Sequence, residues 1–417
     1  MKNLAEYVTG IAKSAKKASE ILAGTPTKQK NAVLSSLAIL LEQQKAAILA
    51  ENAKDLHAAQ EKGVKPAFID RLMLNEKRID GMIESVKAVV ALPDPVGYVD
   101  EQYTLENGLE IGKIHVPIGT IGIVYEARPN ATIEAASLCL KSGNASILRG
   151  GSEAFHSNEI LSSLIRKALK ENGLPEDCVC TFSTTDRQCI FEMLKLSEYI
   201  DVVIPRGGEQ FVKMVVENSK IPVIKHEKGV CTLYVSSDAE KDKAAAIAVN
   251  GKVQRPGVCN ALENIIFDKD CAFIVDILSA LNKEGVEIRG DNSICSLFPQ
   301  AKPATEADWS TEYLDLIISA KIVKDIDEAI SFINTYGSHH SDAILTNDYN
   351  KSRKFLKNVD SAAVYVNAST RFTDGFEFGL GAEIGISTNK IHARGPMGLK
   401  ELTTIKWVIQ GDGQIRG

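Results

Sequence analysis

The order of short apolar runs and helical segments restricts the fold of this chain more than any other feature. Between residues 119 and 225, the apolar runs predict strands near 121–125, 145–148, 179–182 and 202–204. The segments after them have helical spacing and predict helices near 131–142, 152–171, 186–196 and 209–219. This alternation predicts a parallel sheet covered by helices. A second series repeats it, with strands expected near 230–235, 316–323, 342–346 and 362–366.

Other segments depart from this α/β pattern. Residues 3–92 have apolar positions at helical spacing and predict helices only, one of them capped by Asn75. Asn107-Gly108 lies between two runs of alternating polarity, which predicts a hairpin with a type I′ turn. We expect residues 403–410 to pair as a further strand. Residues 367–398 are rich in glycine and polar residues, which is typical of a loop at a functional site.

Composition excludes several classes of function. The chain has 417 residues, enough for two or three domains, and a net charge of −6 without a basic cluster, so we expect no nucleic-acid partner. No apolar run approaches the roughly 20 residues that span a bilayer, so no membrane partner is expected. Eight cysteines without paired spacing favour a reduced, cytoplasmic protein. No metal-binding spacing occurs, and no metal is expected.

Cys259 is the strongest candidate for a reactive side chain. It follows the corner Arg255-Pro256-Gly257 and precedes Asn260, whereas a cysteine that only packs usually lies inside an apolar run, as Cys231 does. At such a turn, the backbone N–H of Cys259 could bind an oxygen, and Arg255 favours the thiolate over the thiol. Local sequence alone leaves open the alternative of a small buried hydrophobe at a turn.

The loops after the predicted strands carry the candidate cofactor-binding residues. Arg149 and Ser152 suit a phosphate on a nucleotide ribose, with Ser152 as a helix N-cap and Arg149 as a reader of the 2′-phosphate of NADP(H). Arg206-Gly207-Gly208 precedes another helix and could face the central part of the cofactor. Each loop is also compatible with a tight turn alone, in the first case with Arg149 at the surface. The sequence has no G-x-G-x-x-G fingerprint.

The turn Arg128-Pro129-Asn130 ends the strand predicted at 121–125 and begins the next helix. Pro129 fixes this turn, and the side-chain amide of Asn130 is able to donate a hydrogen bond to an oxyanion. A simple N-cap is the alternative interpretation of Asn130.

Taken in order, these motifs resemble the aldehyde dehydrogenase superfamily over almost the whole chain. The segments that carry the resemblance are 125–130 (Tyr125-Glu126-Ala127-Arg128-Pro129-Asn130), 204–208, 254–260, 323–342, 368–372 and 379–387. The resemblance implies an α/β fold with a Rossmann-like cofactor domain and an α/β catalytic domain. The implied limits are 1–96 and 117–227 for the dinucleotide-binding domain, 228–398 for the catalytic domain, and 97–116 with 399–417 for an oligomerisation element made of the hairpin and the C-terminal strand.

The resemblance also implies roles for single residues. Cys259 matches the nucleophile of the superfamily, and Asn130 matches the amide of its oxyanion hole. Glu312 falls where the superfamily has a glutamate that binds the nicotinamide ribose. Arg149 and Ser152 match the loop that binds the adenosine ribose, with arginine in place of lysine.

A substrate that carries a carboxylate and a phosphate requires cations. The candidates in or beside the site loops are Arg128, Arg255, Arg371 and Arg394, and each has a structural alternative. One segment departs from the superfamily. Hydrolytic members activate water with a glutamate in a Glu-x-Gly-Gly-Lys segment, but here Glu227 precedes Lys228-Gly229-Val230, and we assign it no role as a base.

The expected activity is the NADPH-dependent reduction of an acyl phosphate through a thioester on Cys259. The resemblance implies L-glutamyl 5-phosphate as substrate and L-glutamate 5-semialdehyde as product, the second step of proline biosynthesis from glutamate. A homo-oligomer is expected. Glutamate 5-kinase is expected to be a separate chain, because no kinase-like segment precedes residue 1. The two alternative functions are those of a hydrolytic aldehyde dehydrogenase and of a nucleotide-binding regulatory protein without catalysis.

Overall fold

The computed structural model describes residues 4–64, 66–126, 128–226 and 228–416. The chain divides into two compact units. Unit 1 contains residues 1–225, 379–385 and 397–417, and unit 2 contains residues 226–378 and 386–396. Residues 379–385 and 397–398, which we expected in the catalytic domain, cluster with unit 1. The functions assigned to the domains stay predictions.

Helices and strands follow one another in the order expected for an α/β protein. The helices are α1 Leu4–Ala23, α2 Thr27–Gln43, α3 Lys45–Glu61, α4 Pro66–Leu72, α5 Glu76–Ala91, α6 Asn130–Lys141, α7 Phe155–Glu171, α8 Gln188–Met193, α9 Glu209–Asn218, α10 Lys241–Val253, α11 Ile274–Lys283, α12 Asn292–Leu297, α13 Ile326–Tyr336 and α14 Tyr349–Asn358. The strands are β1 Val99–Thr104, β2 Glu110–Pro117, β3 Thr120–Tyr125, β4 Ala145–Gly150, β5 Val179–Thr181, β6 Val202–Arg206, β7 Cys231–Val235, β8 Leu262–Asp268, β9 Glu287–Gly290, β10 Lys302–Pro303, β11 Ile317–Val323, β12 Ser341–Leu345, β13 Ala363–Val366, β14 Gly385–Ser387, β15 Gly395–Met397 and β16 Thr403–Gln410.

The N-terminal segment of unit 1 forms helices α1–α5, as predicted. Helix α2 packs against α5, and the side chain of Asn75 caps α5 by accepting a hydrogen bond from the N–H of Arg78 at 2.9 Å. No single helix among the described residues has the length and apolar character needed to cross a membrane. By length and composition, however, α2 and α3 together meet this requirement as a pair bent by 72°.

Unit 1 also contains a four-stranded parallel sheet in the order β5–β4–β3–β6. These strands and the helices α6–α9 lie close to their predicted positions. Strand β3 is buried on both faces, as expected for a parallel strand covered by helices. The register pairs Tyr125, at the end of β3, with Gly150 of β4 and Arg206 of β6. The loops after these three strands therefore lie side by side at the carboxyl edge of the sheet.

A separate antiparallel sheet of unit 1 joins the predicted hairpin to the C-terminal strand, in the order β1–β2–β16. The type I′ prediction for the hairpin is wrong. That turn requires positive φ at both central residues, but only Gly108 has it, with φ of 85°. The side chain of Asn107 instead accepts a hydrogen bond from the N–H of Leu109 at 3.1 Å, and Leu105 pairs with Leu109 to close a longer loop.

Unit 2 contains a seven-stranded parallel sheet in the order β10–β9–β11–β8–β7–β12–β13. The four strands predicted here correspond to β7, β11, β12 and β13, but β8, β9 and β10 were not predicted. Strand β8 is central, and every one of its residues is buried. The segments that precede β7, β8 and β12 lie at the amino edge of this sheet, and one of them contains Cys259.

Candidate active site

In unit 1, the loop after β6 is held against the loop after β3. The N–H of Glu126 donates to the carbonyl of Arg206 at 3.0 Å, and the N–H of Gly208 donates to Glu126 Oε2 at 2.9 Å. A Cβ atom at Gly207 would lie 2.5 Å from the same carboxylate oxygen, so a larger residue does not fit there without rearrangement. The glycines predicted to approach a cofactor thus lie at the N-terminus of α9, beside the side chain of Glu126.

Asn130 is the first residue of α6, one turn beyond the end of β3. Its side chain forms no cap, so the simple N-cap interpretation is wrong. Asn130 Nδ2 donates instead to Glu134 Oε1 at 2.9 Å, one turn further along the helix. Burial raises the pKa of Glu134, and the hydrogen bond from Asn130 and the charges of Arg206 and Arg128 oppose this change.

Arg149 is buried at the end of β4, with 7% of the residue exposed, so the alternative of a surface arginine is wrong. Its guanidinium donates to the carbonyl of Gly150 and, at 3.1 Å, to that of Thr185. Burial lowers the pKa of Arg149. Its Nε atom is buried and has no hydrogen-bond partner among the described residues. This orphaned donor is compatible with an anionic ligand at the loop.

The prediction that Ser152 caps a helix is wrong. Ser152 is exposed and begins a short 3₁₀ turn, Ser152–Ala154, and its side chain makes no capping bond. The N-terminus of α7 is capped from α3, because the buried carboxylate of Asp55 accepts from the N–H groups of His156 and Ser157 at 3.1 and 2.8 Å. Ser152 is thus left at the surface of the loop.

In unit 2, the loop between α10 and β8 presents Cys259 close to another backbone segment. A Cβ atom at Gly229 would lie 1.9 Å from the carbonyl oxygen of Cys259, so only glycine allows this approach. The Sγ atom of Cys231 donates to the same oxygen at 3.2 Å. The segment before β7 therefore fixes the main chain of Cys259.

Asn260 attaches this loop to the segment 369–373. Asn260 Nδ2 donates to the carbonyl oxygens of Arg371 and Thr373 at 3.3 and 2.9 Å, and Thr370 Oγ1 donates to the carbonyl of Asn260 at 2.8 Å. Three hydrogen bonds thus place the Arg371 segment directly beside the loop that carries Cys259.

The guanidinium of Arg371 interacts electrostatically with Cys259 and with the guanidinium of Arg255. Burial lowers the pKa of Arg371, repulsion from Arg255 lowers it further, and attraction to Cys259 opposes both. Arg371 Nε is held by Gln254 Oε1 at 2.9 Å. Positive charge in this position attracts an anionic group.

Most of the other cysteines have the properties of packing groups. Burial raises the thiol pKa values of six of them: Cys139, Cys178, Cys180, Cys189, Cys231 and Cys271. A buried thiol with a raised pKa is a packing group rather than a nucleophile. In the described part of the chain, no group of three or more His, Cys, Asp or Glu side chains is arranged to hold a metal ion.

The remaining predicted site residues have different environments. Glu312 Oε1 accepts from the N–H of Gly229 at 2.9 Å, which places Glu312 near the segment that supports Cys259. Arg394 binds the carboxylate of Asp360 at 2.9 Å and its carbonyl at 3.0 Å, which favours the structural alternative for this arginine. Glu227 lies outside the described residues.

Sequence reasoning missed several buried polar groups around these residues. Lys252 and Glu263 form a fully buried ion pair of 2.6 Å at the two ends of the loop that carries Cys259. His340 is buried beside Cys231, with 3.8 Å between its Nδ1 atom and the Sγ of Cys231. No periodic signal reveals either contact. Glu134, however, could have been found from its spacing of four residues after Asn130 on one helix.

Comparisons with known proteins agree with this architecture. A family model described as the aldehyde dehydrogenase family matches residues 2–289. The chain is 55% identical to a gamma-glutamyl phosphate reductase of Carboxydothermus hydrogenoformans, over 99% of this chain and 100% of that protein. It is 54% identical to one of Sulfurihydrogenibium, over 99% and 94% of the two chains.

Solved structures show the same relationship. The crystal structure of gamma-glutamyl phosphate reductase from Thermotoga maritima superposes with a TM-score of 0.97 at 47% identity, covering 98% of this chain and 100% of that chain. An acetylating aldehyde dehydrogenase of Geobacillus thermoglucosidasius shares the fold, with a TM-score of 0.71 at 15% identity over 99% of this chain and 98% of that chain.

The chain therefore belongs to the aldehyde dehydrogenase family, whose members are oxidoreductases that use a nicotinamide cofactor. Its fold is the α/β fold of that family, as the sequence predicted. Within the family, its sequence groups it with the gamma-glutamyl phosphate reductases.

Proposed function

We propose that this protein reduces L-glutamyl 5-phosphate to L-glutamate 5-semialdehyde and phosphate, the second step of proline biosynthesis from glutamate. The observation that carries the proposal is identity above 50% to gamma-glutamyl phosphate reductases over nearly the full chain. The charge of Arg371 beside Cys259, with Arg255 beside Arg371, supports it, because two guanidiniums suit a substrate with a phosphate and a carboxylate.

In the proposed mechanism, the Cys259 thiolate attacks the acyl carbon, the carbon–oxygen bond to phosphate breaks, and phosphate leaves. The product of this step is a thioester on Cys259. The backbone N–H of Cys259 and the amide of Asn130 stabilise the negative charge on the carbonyl oxygen, and one such donor typically contributes about 10²–10³ in rate. Arg128, Arg255 and Arg371 bind the anionic groups of the substrate. Arg394, held by Asp360, positions the chain instead.

We propose NADPH as the cofactor, which when bound supplies the hydride that reduces the thioester to the aldehyde. The residues that would hold it are Arg149, Ser152, Arg206, Gly207, Gly208 and Glu312. The orphaned Nε of Arg149 supports a bound anionic group at this edge of the sheet. A more distant structural relative, an engineered glycolyl-CoA reductase, binds NADP⁺.

The test of the proposed mechanism is Cys259→Ala, assayed for NADPH consumption and phosphate release. We expect both to stop, since the nucleophile is lost. In the wild-type protein without NADPH, labelled substrate should leave a covalent adduct on residues 256–260 in intact-protein and peptide mass spectrometry. Turnover retained by the alanine variant would contradict the thioester mechanism.

The reverse reaction separates this proposal from the hydrolytic alternative. With L-glutamate 5-semialdehyde and NADP⁺, oxidation should require phosphate, because phosphate is the acyl acceptor. A hydrolytic aldehyde dehydrogenase would oxidise the aldehyde equally well without it.

We further propose that the protein works as a cytoplasmic homo-oligomer supplied by a glutamate 5-kinase on a separate chain. Support for the oligomer comes from the sheet β1–β2–β16, where Tyr103, Trp407 and Ile409 are large, exposed apolar side chains. Apolar side chains repeated along exposed strands are typical of subunit contacts.

A further inference from the structure

Glu134 is a charged residue of unit 1 to which the mechanism above gives no role. It lies one turn after Asn130 on α6, and its Oε1 atom accepts a hydrogen bond from Asn130 Nδ2 at 2.9 Å. Residues four apart on a helix face the same side, so this contact is set by the helix geometry and needs no loop to form it.

The chemistry of the two groups determines how Asn130 is oriented. An asparagine amide has a donor end and an acceptor end, and only the donor end stabilises an oxyanion. A carboxylate accepts hydrogen bonds but does not donate them. The flipped amide would place its oxygen against the carboxylate of Glu134 and is therefore disfavoured. One N–H of Asn130 is then used by Glu134, and in the proposed function the second serves the substrate oxygen.

Several groups around Glu134 favour the carboxylate, which is the acceptor state. Burial has the largest effect and raises the pKa of Glu134, whereas the hydrogen bond from Asn130 and the positive charges of Arg206 and Arg128 oppose this change. The same arginines offset the negative charge that Glu134 would otherwise place near a developing oxyanion. Both features suit a group whose task is to hold an amide.

We propose that Glu134 is a positioning residue, which fixes the side-chain amide of Asn130 with its N–H groups toward the reacting carbonyl. The inference rests on the proposed function, in which Asn130 stabilises the oxyanion. The competing explanation is purely structural: Glu134 would then stabilise α6, independently of what Asn130 does.

The experiment is a double-mutant cycle on the full-length enzyme, with Glu134→Leu, Asn130→Ala and the two combined. Steady-state kcat and KM are measured in the reverse direction with L-glutamate 5-semialdehyde, phosphate and NADP⁺. We expect Glu134→Leu to lower kcat by about 10- to 100-fold, less than the full loss of an oxyanion donor. KM for NADP⁺ should change less than about threefold. In the Asn130→Ala background, Glu134→Leu should cause almost no further loss.

Two further variants serve as controls. Glu134→Gln keeps an acceptor for Asn130 and should retain kcat within about threefold of the wild type. Ser137→Ala removes a buried hydroxyl on the same helix that has no hydrogen-bond partner among the described residues, and should leave kcat unchanged.

Each contrary result has a distinct meaning. If Glu134→Leu lowers kcat equally in the presence and absence of Asn130, its role is structural and the inference is overturned. The same holds if Glu134→Leu leaves kcat unchanged. If Asn130→Ala itself has no effect, the oxyanion role of Asn130 in the proposed function is lost, and the inference with it.

Discussion

Gly229 has no side chain, and the main chain of Cys259 lies directly against it. Because a Cβ atom at Gly229 would overlap the carbonyl of Cys259, Gly229→Ala must displace the loop that carries Cys259. We expect kcat to fall by about 10²-fold, the usual effect of a 1 Å error in a reacting group. The rate at which iodoacetamide alkylates Cys259 reports the displacement directly.

The matched control for this prediction is Gly257→Ala, in the same loop as Cys259. A Cβ atom there would meet only the carbonyl of Leu314, at an ordinary distance of 3.7 Å. Its effect should be much smaller. Alkylation of the Gly229→Ala protein at the wild-type rate would show that the loop tolerates the extra methyl group.

Because His340 is buried, we expect the free energy of unfolding to depend on pH in a specific way. Burial lowers its pKa to about 3, with a further contribution from His226, so the folded protein keeps this imidazole neutral. In the unfolded chain a histidine takes up a proton below about pH 6.5. The stability that His340 contributes is therefore complete above pH 6.5 and is lost as the pH falls toward 3.

Urea unfolding of the wild type and of His340→Asn, at pH 7 and pH 5, measures this effect. Between these values the wild type should lose about 2 kcal/mol more than the variant, because each pH unit below 6.5 costs about 1.4 kcal/mol. Burial raises the pKa of nearby Asp342 to about 6, which acts in the opposite direction but in both proteins. Equal losses in the two proteins would contradict the prediction.

At the residue scale, the sequence indicates candidate residues but not their surroundings. Cys259 and Asn130 could be proposed because their turn chemistry is local and visible in the sequence, and their roles stay predictions. The burial of Arg149 and the exposure of Ser152 could not, because both depend on distant segments, such as the α3 carboxylate of Asp55 that caps α7.

At the scale of elements, the loop that carries Cys259 is held at both ends by one buried ion pair. Lys252 lies in the last turn of α10 and Glu263 is the second residue of β8. Lys252→Met should cost about 3–5 kcal/mol in the free energy of unfolding, because it leaves a carboxylate buried without its partner. The cost should decrease at low pH, since burial already raises the pKa of Glu263 to about 7.

The double variant Lys252→Met/Glu263→Leu is the control for this prediction. It removes both charges, so most of the lost stability should return in urea unfolding. A double variant as unstable as the single one would mean that the pair has a role beyond charge compensation.

The polar residue Glu263 of this ion pair also explains why the sequence did not predict β8. The strand begins Leu262-Glu263-Asn264, and two polar residues in a short run obscure the apolar pattern of a buried strand. Each is bound to a group from another segment: Glu263 accepts from Lys252, and Asn264 Nδ2 donates to the carbonyl of Trp309 at 3.0 Å. The strands with continuous apolar runs, such as β3 and β7, were predicted correctly.

For the whole molecule, the proposed oligomer predicts the effect of a charge on the β1–β2–β16 sheet. Ile409 is 56% exposed and pairs with Ile111 of β2, which in turn pairs with Tyr103 of β1. Ile409→Lys should therefore lower the assembly state seen by sedimentation velocity, because a buried lysine without a partner opposes association. Lys406→Glu, on the opposite face of β16, should not. An unchanged assembly state in Ile409→Lys would exclude this face as the contact.

The pairing of β16 with β2 has a consequence for synthesis on the ribosome. Strand β2 is translated before unit 2, but its partner β16 is translated after it. While unit 2 is being made, the main-chain N–H and C=O groups on one edge of Glu110–Pro117 therefore lack their partner strand. An unpaired strand edge is prone to pair with other chains. A stop codon placed before Thr403 should leave this edge exposed permanently, and aggregates should form even though every proposed active-site residue has been made.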